Sequence, residues 1–478
     1  MFLPTLRSLL AALLLAAVTP LLALADEPLR IGLFDVDVSP PVGSPLAYDT
    51  TIGVQDPLSC RGLVLLGKGD PIVLVAVDWI GIGNGSHRLF REMIAKSVGA
   101  TPDRVALHTL HQHDAPWADY LAHELFAQHE VGGYLPFDSV FAREAFTRVA
   151  EAAGKAKENT QPITHVGVAT AKVEKVASNR RILDENGKVK HVRYTATRDP
   201  NIRAYPEGLI DPLLRMIALY NGDKPVAVLT YYATHPQSYY RTGKANPDFP
   251  GMARNAREKT TGVPHIHFNG AGGNLGAGKY NDGSTENRQI LANRVADAMT
   301  RAWEALEKSP LAPADVGWKT VPVKLPPGKH LFEAEAKLKD KDAPPLQRLT
   351  AATQVAFLRR YLAGETFDLG CLTLGKTRVL HLPGELFVEY QLAAQQLRPD
   401  LFVATAAYGD YSPAYIGTAV AYTQGGYETE PRSSNVAPEV EGVLMTGIAR
   451  LLDADPANIQ PLPTGGARAE SGAAQAAR

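Results

Sequence analysis

The hydrophobic pattern of the chain alternates between two kinds of segment. Short apolar runs rich in β-branched residues predict strands, since a buried strand typically has four to eight such residues. The predicted strands are residues 71–82, 104–110, 165–173, 225–235, 377–384 and 401–409. Longer amphipathic stretches lie between these runs and predict helices with one buried face. The alternation favours an α/β fold in which mixed sheets are covered by helices.

The helical stretches add detail to this prediction. Within residues 286–308, apolar positions at helical spacing predict one buried face, formed by Leu291, Val295, Met299, Trp303 and Leu306. Ser86 is expected to cap the helix that follows it. Residues 330–365 predict a helical pair broken at Pro344–Pro345, which we interpret as an insertion packed on the main body. No internal repeat is visible.

The two ends of the chain predict export and disorder. Residues 1–25 have a positive charge, the apolar core "LLAALLLAAV" and "ALA" before Asp26, as in a cleaved signal peptide. An uncleaved anchor is the alternative, but the run is short of the ~20 apolar residues that a stable transmembrane segment needs. We therefore expect one hydrolase domain over 26–460, secreted or in the cell envelope. Residues 461–478 have little apolar content and are predicted to be disordered.

Charge and cysteine content exclude several classes of protein. The chain has 49 Lys and Arg against 50 Asp and Glu, so no net field attracts nucleic acid. Its two cysteines, Cys60 and Cys371, cannot form a disulfide scaffold or a thiolate zinc site. They either pair once or remain buried thiols. The oligomeric state cannot be read from these features.

The stretch "LHTLHQHDAPW" carries the first candidate metal ligands. If the strand over 104–110 continues to residue 113, His111 and His113 share one face and His108 points the other way. An H-x-H pair at a strand end can present two imidazoles to one metal or substrate. The alternative is a pair of solvent-facing loop histidines.

Three further strands also end in candidate ligands. His235 ends one run, and Glu385 follows a Pro-Gly turn at the expected first turn of a helix. A tyrosine-rich stretch follows the last run, with Tyr408, Tyr411 and Tyr415. Imidazole and oxygen ligands without thiolate suit zinc in a hydrolytic site. A core histidine, a helix-dipole carboxylate and packed tyrosines are the structural alternatives.

In four short motifs, taken in order, the chain resembles the neutral (alkaline, non-lysosomal) ceramidase family of zinc amidases, which hydrolyse ceramide to sphingosine and fatty acid. That family carries "HTHSGP", "HPT", "GEF" and a tyrosine-rich "NAYSSYVAT…EEY…RYE". This chain has "HQHDAP", "HPQ", "GEL" and "AAYGDYSPAYIGTAVAYTQGGYE". The opening "LRIGLFDVDVSPPVG" is also similar to the family's first strand. The resemblance extends over about residues 29–455.

The resemblance implies a zinc site and a set of substrate contacts. Its zinc ligands correspond to His111, His235, Glu385 and a tyrosine. Motif order favours Tyr408 as that tyrosine, and spacing favours Tyr411. The implied catalytic and substrate-contacting residues are His113, Arg180 and Tyr422.

Two departures from the family pattern bear on the substrate. The family's "GD-V-S-P-N" loop is "GGNLGAG" here, which places Asn274 and Gly276 at its Asp and Ser positions. The glycines suit close approach of a ligand to the backbone. The family's immunoglobulin-like domain has no counterpart after the resemblance ends. Both departures make ceramide a less certain substrate and leave the implied zinc ligands intact.

Three functions are consistent with these features. The first is a zinc-dependent amidohydrolase that splits an N-acyl bond of a lipid-like substrate, with His113 as the acid because a histidine pKa lies near neutral. The second is a hydrolase on the same scaffold that acts on another ester or N-acyl compound. The third is a non-catalytic binding protein, which the complete ligand set disfavours.

Overall fold

The computed structural model of the chain describes residues 28–129 and 137–468. The predicted signal, residues 1–25, lies outside these ranges, so its cleavage stays a prediction. The structure has the mixed α/β architecture predicted from the sequence, with helices packed on several mixed sheets. Among the helices in the described residues, none combines the length and apolar character needed to span a bilayer.

Three main sheets are built in the same order. In each, three antiparallel strands are followed by a helix, which crosses back to an edge strand parallel to the third strand. A second, outer helix follows the edge strand and packs against the same sheet. The sequence shows no repeat, because the three units share only the succession of elements and not their side chains.

Each main sheet forms one structural unit together with its crossover helix and its outer helix. The first sheet has strands Arg30–Asp37, Ser59–Leu66, Ile72–Val77 and Val105–Thr109, crossover helix Asn84–Val98 and outer helix Ser139–Glu158. The second has His165–Lys172, Leu213–Asn221, Lys224–Tyr232 and His265–Asn269, with helices Asp248–Thr261 and Glu286–Glu304. The third has Val316–Val323, Phe367–Leu374, Thr377–His381 and Phe402–Ala406, with helices Val388–Leu397 and Val440–Leu451.

Shorter elements connect and edge these units. The short strands are Gly53–Val54, Gly81–Ile82, Trp117–Ala118, Gln161–Pro162, Ser178–Asn179, Arg181–Leu183, Val189–Val192, Lys244–Ala245, Leu275–Gly276, Glu307–Pro310, Glu385–Leu386, Tyr415–Ile416 and Ala467–Arg468. The remaining helices are Tyr120–Gln128, Pro200–Ala204, Ala334–Lys339, Pro345–Leu362 and Ala421–Gln424. Single 3₁₀ turns cover Pro102–Arg104, Pro313–Asp315, Lys329–Glu333, Tyr427–Thr429 and Pro456–Asn458.

The three sheets meet around one apolar core, to which Leu63, Leu229 and Leu372 each contribute from a different sheet. Beside this core, hydrogen bonds join the three edge strands in a ring. The Thr109 amide donates to the Tyr408 carbonyl (3.0 Å) and the Ala407 amide to the Asn269 carbonyl (3.0 Å). The Asn269 amide completes the ring by donating to Nε2 of His108 (2.9 Å).

This ring brings the carboxyl ends of all three parallel strand pairs to one place. Ligands of open α/β sheets bind at the carboxyl ends of parallel strands, where side chains from adjacent strands can converge. Each unit therefore delivers the residues that follow its third strand and its edge strand to a common centre. The candidate metal ligands come from these segments.

The structure corrects some of the local predictions and confirms others. The crossover helix of the first unit begins at Asn84 with Gly83 as its N-cap, so Ser86 lies inside the helix and accepts a hydrogen bond from the Tyr120 amide. The predicted apolar face of helix Glu286–Glu304 is confirmed for Leu291, Val295 and Met299, which are buried, whereas Trp303 is half-buried and Leu306 lies beyond the end of the helix. The two cysteines are both buried free thiols.

The predicted helical pair is present as Ala334–Lys339 and Pro345–Leu362. The second of these helices packs against Tyr120–Gln128 in a separate apolar cluster. Disorder from Pro461 onward is wrong for residues 461–468, because Ala467–Arg468 forms a strand parallel to Arg181–Leu183. The rest of that predicted tail lies outside the described residues.

Candidate functional site

The histidine segment reaches the centre through a turn and not through an extended strand. The edge strand ends at Thr109, so the strand alternation expected through residue 113 is wrong. Beyond it, the His111 amide donates to the Trp79 carbonyl (2.9 Å), and His111 has a φ of 71°. A non-glycine residue in this left-handed region is strained, and such strain is concentrated at functional sites. The turn directs His111 and His113 inward, while His108 bonds the Asn269 amide.

His111 is fixed in one orientation by its ring nitrogens. Its Nδ1 lies 2.6 Å from the Ile80 carbonyl oxygen and donates to it. That bond leaves Nε2 as the atom that faces the centre, where it lies 3.1 Å from Oε2 of Glu385. Hydrogen bonds of this kind set the tautomer and direction of metal-bound histidines.

The second sheet contributes His235, three residues after its third strand ends at Tyr232. The His235 ring is buried, with Nδ1 3.8 Å from Oε2 of Glu385 and Nε2 3.4 Å from Nε2 of His113. His111, His113 and His235 form a buried group in which one nitrogen of each ring lies within 4.8 Å of the others. This group could hold a metal ion.

The third sheet contributes Glu385, which lies in the short strand Glu385–Leu386. The following helix begins only at Val388, so the expected position in its first turn is wrong. Oε1 of Glu385 accepts a hydrogen bond from the Tyr411 hydroxyl (2.9 Å). Oε2 points at the two histidines and has no hydrogen bond within the described residues.

The three candidate tyrosines have different surroundings. Tyr408 is fully buried, stacks on His111 at 4.6 Å, and its hydroxyl has no hydrogen-bond partner in the described part of the chain. The Tyr411 hydroxyl is occupied by Glu385. The Tyr415 hydroxyl lies 3.4 Å from that of Tyr427.

Four buried polar atoms in this centre have no hydrogen-bond partner among the described residues: Nε2 of His111, Nδ1 of His235, Oε2 of Glu385 and the Tyr408 hydroxyl. Buried polar atoms are normally satisfied, so several such atoms in one centre call for a ligand. Zinc bonds of 2.0–2.2 Å in a tetrahedron place neighbouring ligands roughly 3.4 Å apart. The 3.1 and 3.8 Å distances from Glu385 to the two histidines bracket that value. The residues therefore fit the zinc ion that the sequence predicts.

Burial keeps His113 and His235 neutral. Desolvation is the main cause that lowers the pKa of His113 well below its usual value, and electrostatic interactions with His111 and Arg180 lower it further. The pKa of His235 is lowered in the same way, first by burial and then by Arg180. Neutral imidazole is the form that binds metals. The expectation that His113 has a pKa near neutral is wrong, and the residue is a neutral imidazole at pH 7.

Arg180 lies beside this centre in a buried aromatic cage. Its guanidinium carbon lies 5.4 Å from the Tyr415 ring centre and 5.2 Å from that of Tyr427. Its Nη2 donates to the Gly273 carbonyl, and Nε lies 3.6 Å from Oε1 of Glu428. Its charge is thus paired with Glu428, while Nε has no hydrogen-bond partner among the described residues.

Tyr422 and Tyr427 make different contacts, which the sequence motif alone does not predict. The Tyr422 hydroxyl pairs with Oγ of Ser434 (2.8 Å). Tyr427 is the residue that contacts Arg180 and Tyr415. Tyr427 was not among the predicted site residues, although its place five residues after Tyr422 in the tyrosine-rich motif could have identified it.

The glycine-rich loop packs against the ligand segments. A Cβ atom on Gly272 would lie 2.4 Å from the Thr234 carbonyl oxygen, and one on Gly273 would lie 2.2 Å from the Glu385 carbonyl oxygen. The glycines thus allow close contact with the backbones that carry His235 and Glu385. The expected approach of a ligand to this loop stays a prediction.

The two residues that depart from the family pattern have packing roles. The Asn274 side chain bonds the carboxylate of Glu389 and the amide of Val388. Gly276 lies against the side chain of Arg180, where a Cβ atom would come within 3.2 Å of it. At the family's serine position, this chain therefore has a glycine that contacts Arg180, a predicted substrate-binding residue.

Two tyrosines that pack beside His113 were not predicted from the sequence. The Tyr48 ring stacks on the His113 ring at 5.5 Å with an angle of 2° between their planes. Tyr240 packs against both, at 4.9 Å from Tyr48 and 5.6 Å from His113. Neither tyrosine lies in a motif, and only the fold brings them to the histidine.

Neither a family model nor a curated protein matches the chain. Solved structures do match it in fold. Neutral ceramidase from Pseudomonas aeruginosa has a TM-score of 0.63 and 16% sequence identity, with 91% of this chain and 76% of that chain covered. A ceramidase complexed with C2 has the same score and identity, with 91% and 77% covered. The ceramidase-like fold predicted from the motifs is confirmed.

Proposed function

We propose that the protein is an exported, zinc-dependent amidohydrolase that splits an N-acyl bond in a lipid-like substrate. The observation that carries the proposal is the convergence of unpaired Nε2 of His111, Nδ1 of His235 and Oε2 of Glu385, one from each sheet. The ceramidase-like fold supports an amide as the bond that is cut. Export rests on the signal-like residues 1–25 alone.

His111, His235 and Glu385 would hold the metal, with Tyr408 as the fourth protein ligand. Tyr408 is favoured over Tyr411 because its hydroxyl is free, whereas that of Tyr411 is bonded to Glu385. Tyr411 then acts as a positioning residue that orients the carboxylate. When bound, zinc supplies a Lewis acid that polarises a carbonyl and lowers the pKa of water from 15.7 to about 7.

His113 is the proposed proton carrier. As a neutral imidazole beside His235, it can accept the proton that the attacking water loses. The carbon–nitrogen bond breaks as the water oxygen bonds to the carbonyl carbon. His113 then returns the proton to the departing nitrogen, which leaves as an amine. Tyr48 and Tyr240 pack on His113 and hold its ring in place.

Arg180 and Tyr422 are the proposed substrate contacts carried over from the ceramidase resemblance. Arg180 is held by Tyr415, Tyr427 and Glu428 and would present one edge of its guanidinium to the substrate. Tyr422 pairs with Ser434 and could donate to a developing oxyanion only while Ser434 is the donor in that pair. We therefore assign it the smaller part in catalysis.

The test is hydrolysis of a panel of amides and esters by the purified protein after treatment with a chelator and again after addition of zinc. We expect amine release that the chelator abolishes and zinc restores. Hydrolysis of esters but of no amide would support another hydrolase on this scaffold. A protein that binds zinc and cleaves neither class would be a binding protein that retains the fold.

A further inference from the structure

An exposed cation, Arg241, lies at the rim of the candidate site and forms no ion pair with the described residues. Arg241 is exposed, and its guanidinium lies over the rings of Tyr48 (5.6 Å) and Tyr240 (5.5 Å). Within the described residues its side chain has no ion pair and no hydrogen bond. The neighbouring Asp49 carboxylate accepts from the Gly243 amide (2.9 Å) and not from Arg241.

This cation is connected to the reacting centre through stacked rings. The Tyr48 ring contacts both Arg241 and His113, with its centre 5.6 Å from the guanidinium carbon and 5.5 Å from the imidazole centre. The guanidinium is therefore at most about 11 Å from the proposed proton carrier. A carboxylate on a small amine half could therefore reach Arg241 while the amine is still attached to its acyl group.

The backbone at Arg241 is held in an unfavourable conformation. Its φ is 65°, in the left-handed region that non-glycine residues seldom adopt. A strained residue that makes no polar contact of its own is unusual, because strain persists only where the surrounding structure or a ligand supports it. The cation–π contacts with the two tyrosines direct the guanidinium over the rim.

The same rim exposes apolar side chains. Val42 and Ile52 lie on the loop that carries Tyr48, and 73% and 65% of their surfaces are accessible. The Ile52 amide donates to the Gly243 carbonyl (2.7 Å), which ties this loop to the segment after Arg241. A cation beside exposed apolar surface suits an amphiphile whose polar end is negatively charged.

By contrast, the charge of the other arginine of the site is already paired with a carboxylate. Arg180 is buried, faces Glu428 and donates to the Gly273 carbonyl. An anionic substrate group would therefore meet Arg241, which still has all its donors available. The acyl half of a lipid-like amide is an uncharged chain. An anionic group on the substrate would therefore belong to the amine half.

We infer that the substrate is an N-acyl compound whose amine half carries a carboxylate, such as an N-acyl amino acid, and that Arg241 binds this carboxylate. The inference rests on the proposed amidase function. Water adds to the carbonyl carbon, the carbon–nitrogen bond breaks, and the products are a fatty acid and an amino acid. A neutral ceramide lacks the group that Arg241 would bind.

The experiment compares two substrates that differ only in charge, N-dodecanoylglycine and N-dodecanoylglycinamide, with the zinc-loaded full-length protein. We expect wild type to favour the carboxylate by about tenfold to a hundredfold in kcat/KM, the range of a charge-assisted hydrogen bond. Arg241→Gln should remove this preference, chiefly by raising KM for the anion, so that kcat/KM falls more for the anion than for the glycinamide. The preference should also fall with added salt, because the cation is exposed.

Matched variants separate binding of the anion from general damage. Arg241→Lys should keep part of the preference, because the charge remains and the fork of donors is lost. Lys244→Gln removes a nearby exposed charge that does not lie over the tyrosines, and it should leave the preference intact. Equal cleavage of both substrates by wild type would overturn the inference and leave the amidase function standing. If neither amide is cleaved, both proposals fail.

Discussion

His111 and Tyr408 occupy equivalent positions in two of the three structural units. Each is the second residue after its edge strand, and each donates its amide to a carbonyl that follows the third strand, Trp79 or Gly384, at 2.9 Å. Both have positive φ values, 71° and 63°, and their rings stack at 4.6 Å. Two units thus use the same strained turn to direct a side chain to one centre.

The second unit does not repeat this arrangement. The equivalent residue is Ala271, whose amide donates to Oε1 of Gln391 (3.0 Å). That unit supplies His235 from the segment after its third strand instead. The centre is therefore asymmetric, with two ring side chains from edge-strand turns and two ligands, His235 and Glu385, from the other segments.

Removal of a proposed ligand should empty the metal site. We expect His111→Ala, His235→Ala and Glu385→Ala each to lose zinc and activity, because a lost ligand weakens the whole site. His113→Ala should retain zinc and lose rate by about 10²-fold or more, as expected for a proton carrier. Metal content per chain and amide turnover are the measurements.

The control for these variants is His191→Ala, which changes a half-buried histidine outside the centre and should alter neither quantity. Loss of zinc from His113→Ala with retention in Glu385→Ala would contradict the assignment. The metal would then be held by the three histidines alone.

The tyrosine ligand can be identified by comparing phenylalanine variants. Tyr408→Phe should lower zinc affinity the most, since it removes the unpaired hydroxyl from the centre. Tyr411→Phe should lower affinity by about 10- to 100-fold, because it removes a hydrogen bond to the ligand Glu385. Competition with a chelator measures both. Tyr415→Phe serves as the control, and a larger loss in Tyr411→Phe would move the ligand to Tyr411.

A small substitution in the glycine-rich loop should weaken the metal site. Gly273→Ala places a Cβ atom 2.2 Å from the Glu385 carbonyl oxygen, so the ligand segment must shift. We expect lower zinc affinity and a free energy of unfolding reduced by about 1–3 kcal/mol, typical of overpacking. Gly442→Ala, in helix Val440–Leu451 with open space around it, should be neutral or slightly stabilising. Wild-type zinc affinity in Gly273→Ala would show that the loop does not support Glu385.

A buried histidine away from the centre predicts acid sensitivity. Burial lowers the pKa of His267 to about 3, whereas the unfolded chain binds its proton near pH 6.5. Between these values the unfolded state holds more protons, so stability from this residue falls as pH drops, by at most about 1.4 kcal/mol per pH unit. The stability difference between wild type and His267→Gln should shrink by about 2 kcal/mol from pH 7 to pH 5. Urea unfolding at both pH values measures this, and a constant difference would contradict the assigned cause.

The strands and the histidine and glutamate motifs could be predicted because their signals are local. A run such as Ile72–Val77 is β-branched and buried along its whole length, so its pattern alone indicates a strand. His235 and Glu385 each stand just beyond such a run. Parallel strands then bring the ends together, which is why ligands distant in sequence could be grouped.

The remainder depended on contacts between distant segments. The repeated order of the three units has no counterpart in residue identity, so sequence could not reveal it. Tyr48 and Arg241 reach His113 only because the loop after the first strand packs on the segment after His235. The low pKa of His113 also follows from burial, which its motif does not encode.

The ring of hydrogen bonds among the three edge strands also has a consequence for assembly. His111, His235 and Glu385 come from three different units and are separated from one another by more than a hundred residues, and the third unit also supplies Tyr408. A partly folded chain therefore presents no complete site, and zinc would bind the native state alone. By mass action, bound zinc would then raise the equilibrium free energy of opening any one unit. Separation of the three sheets would therefore require release of the metal, although the metal could leave while the sheets stay together.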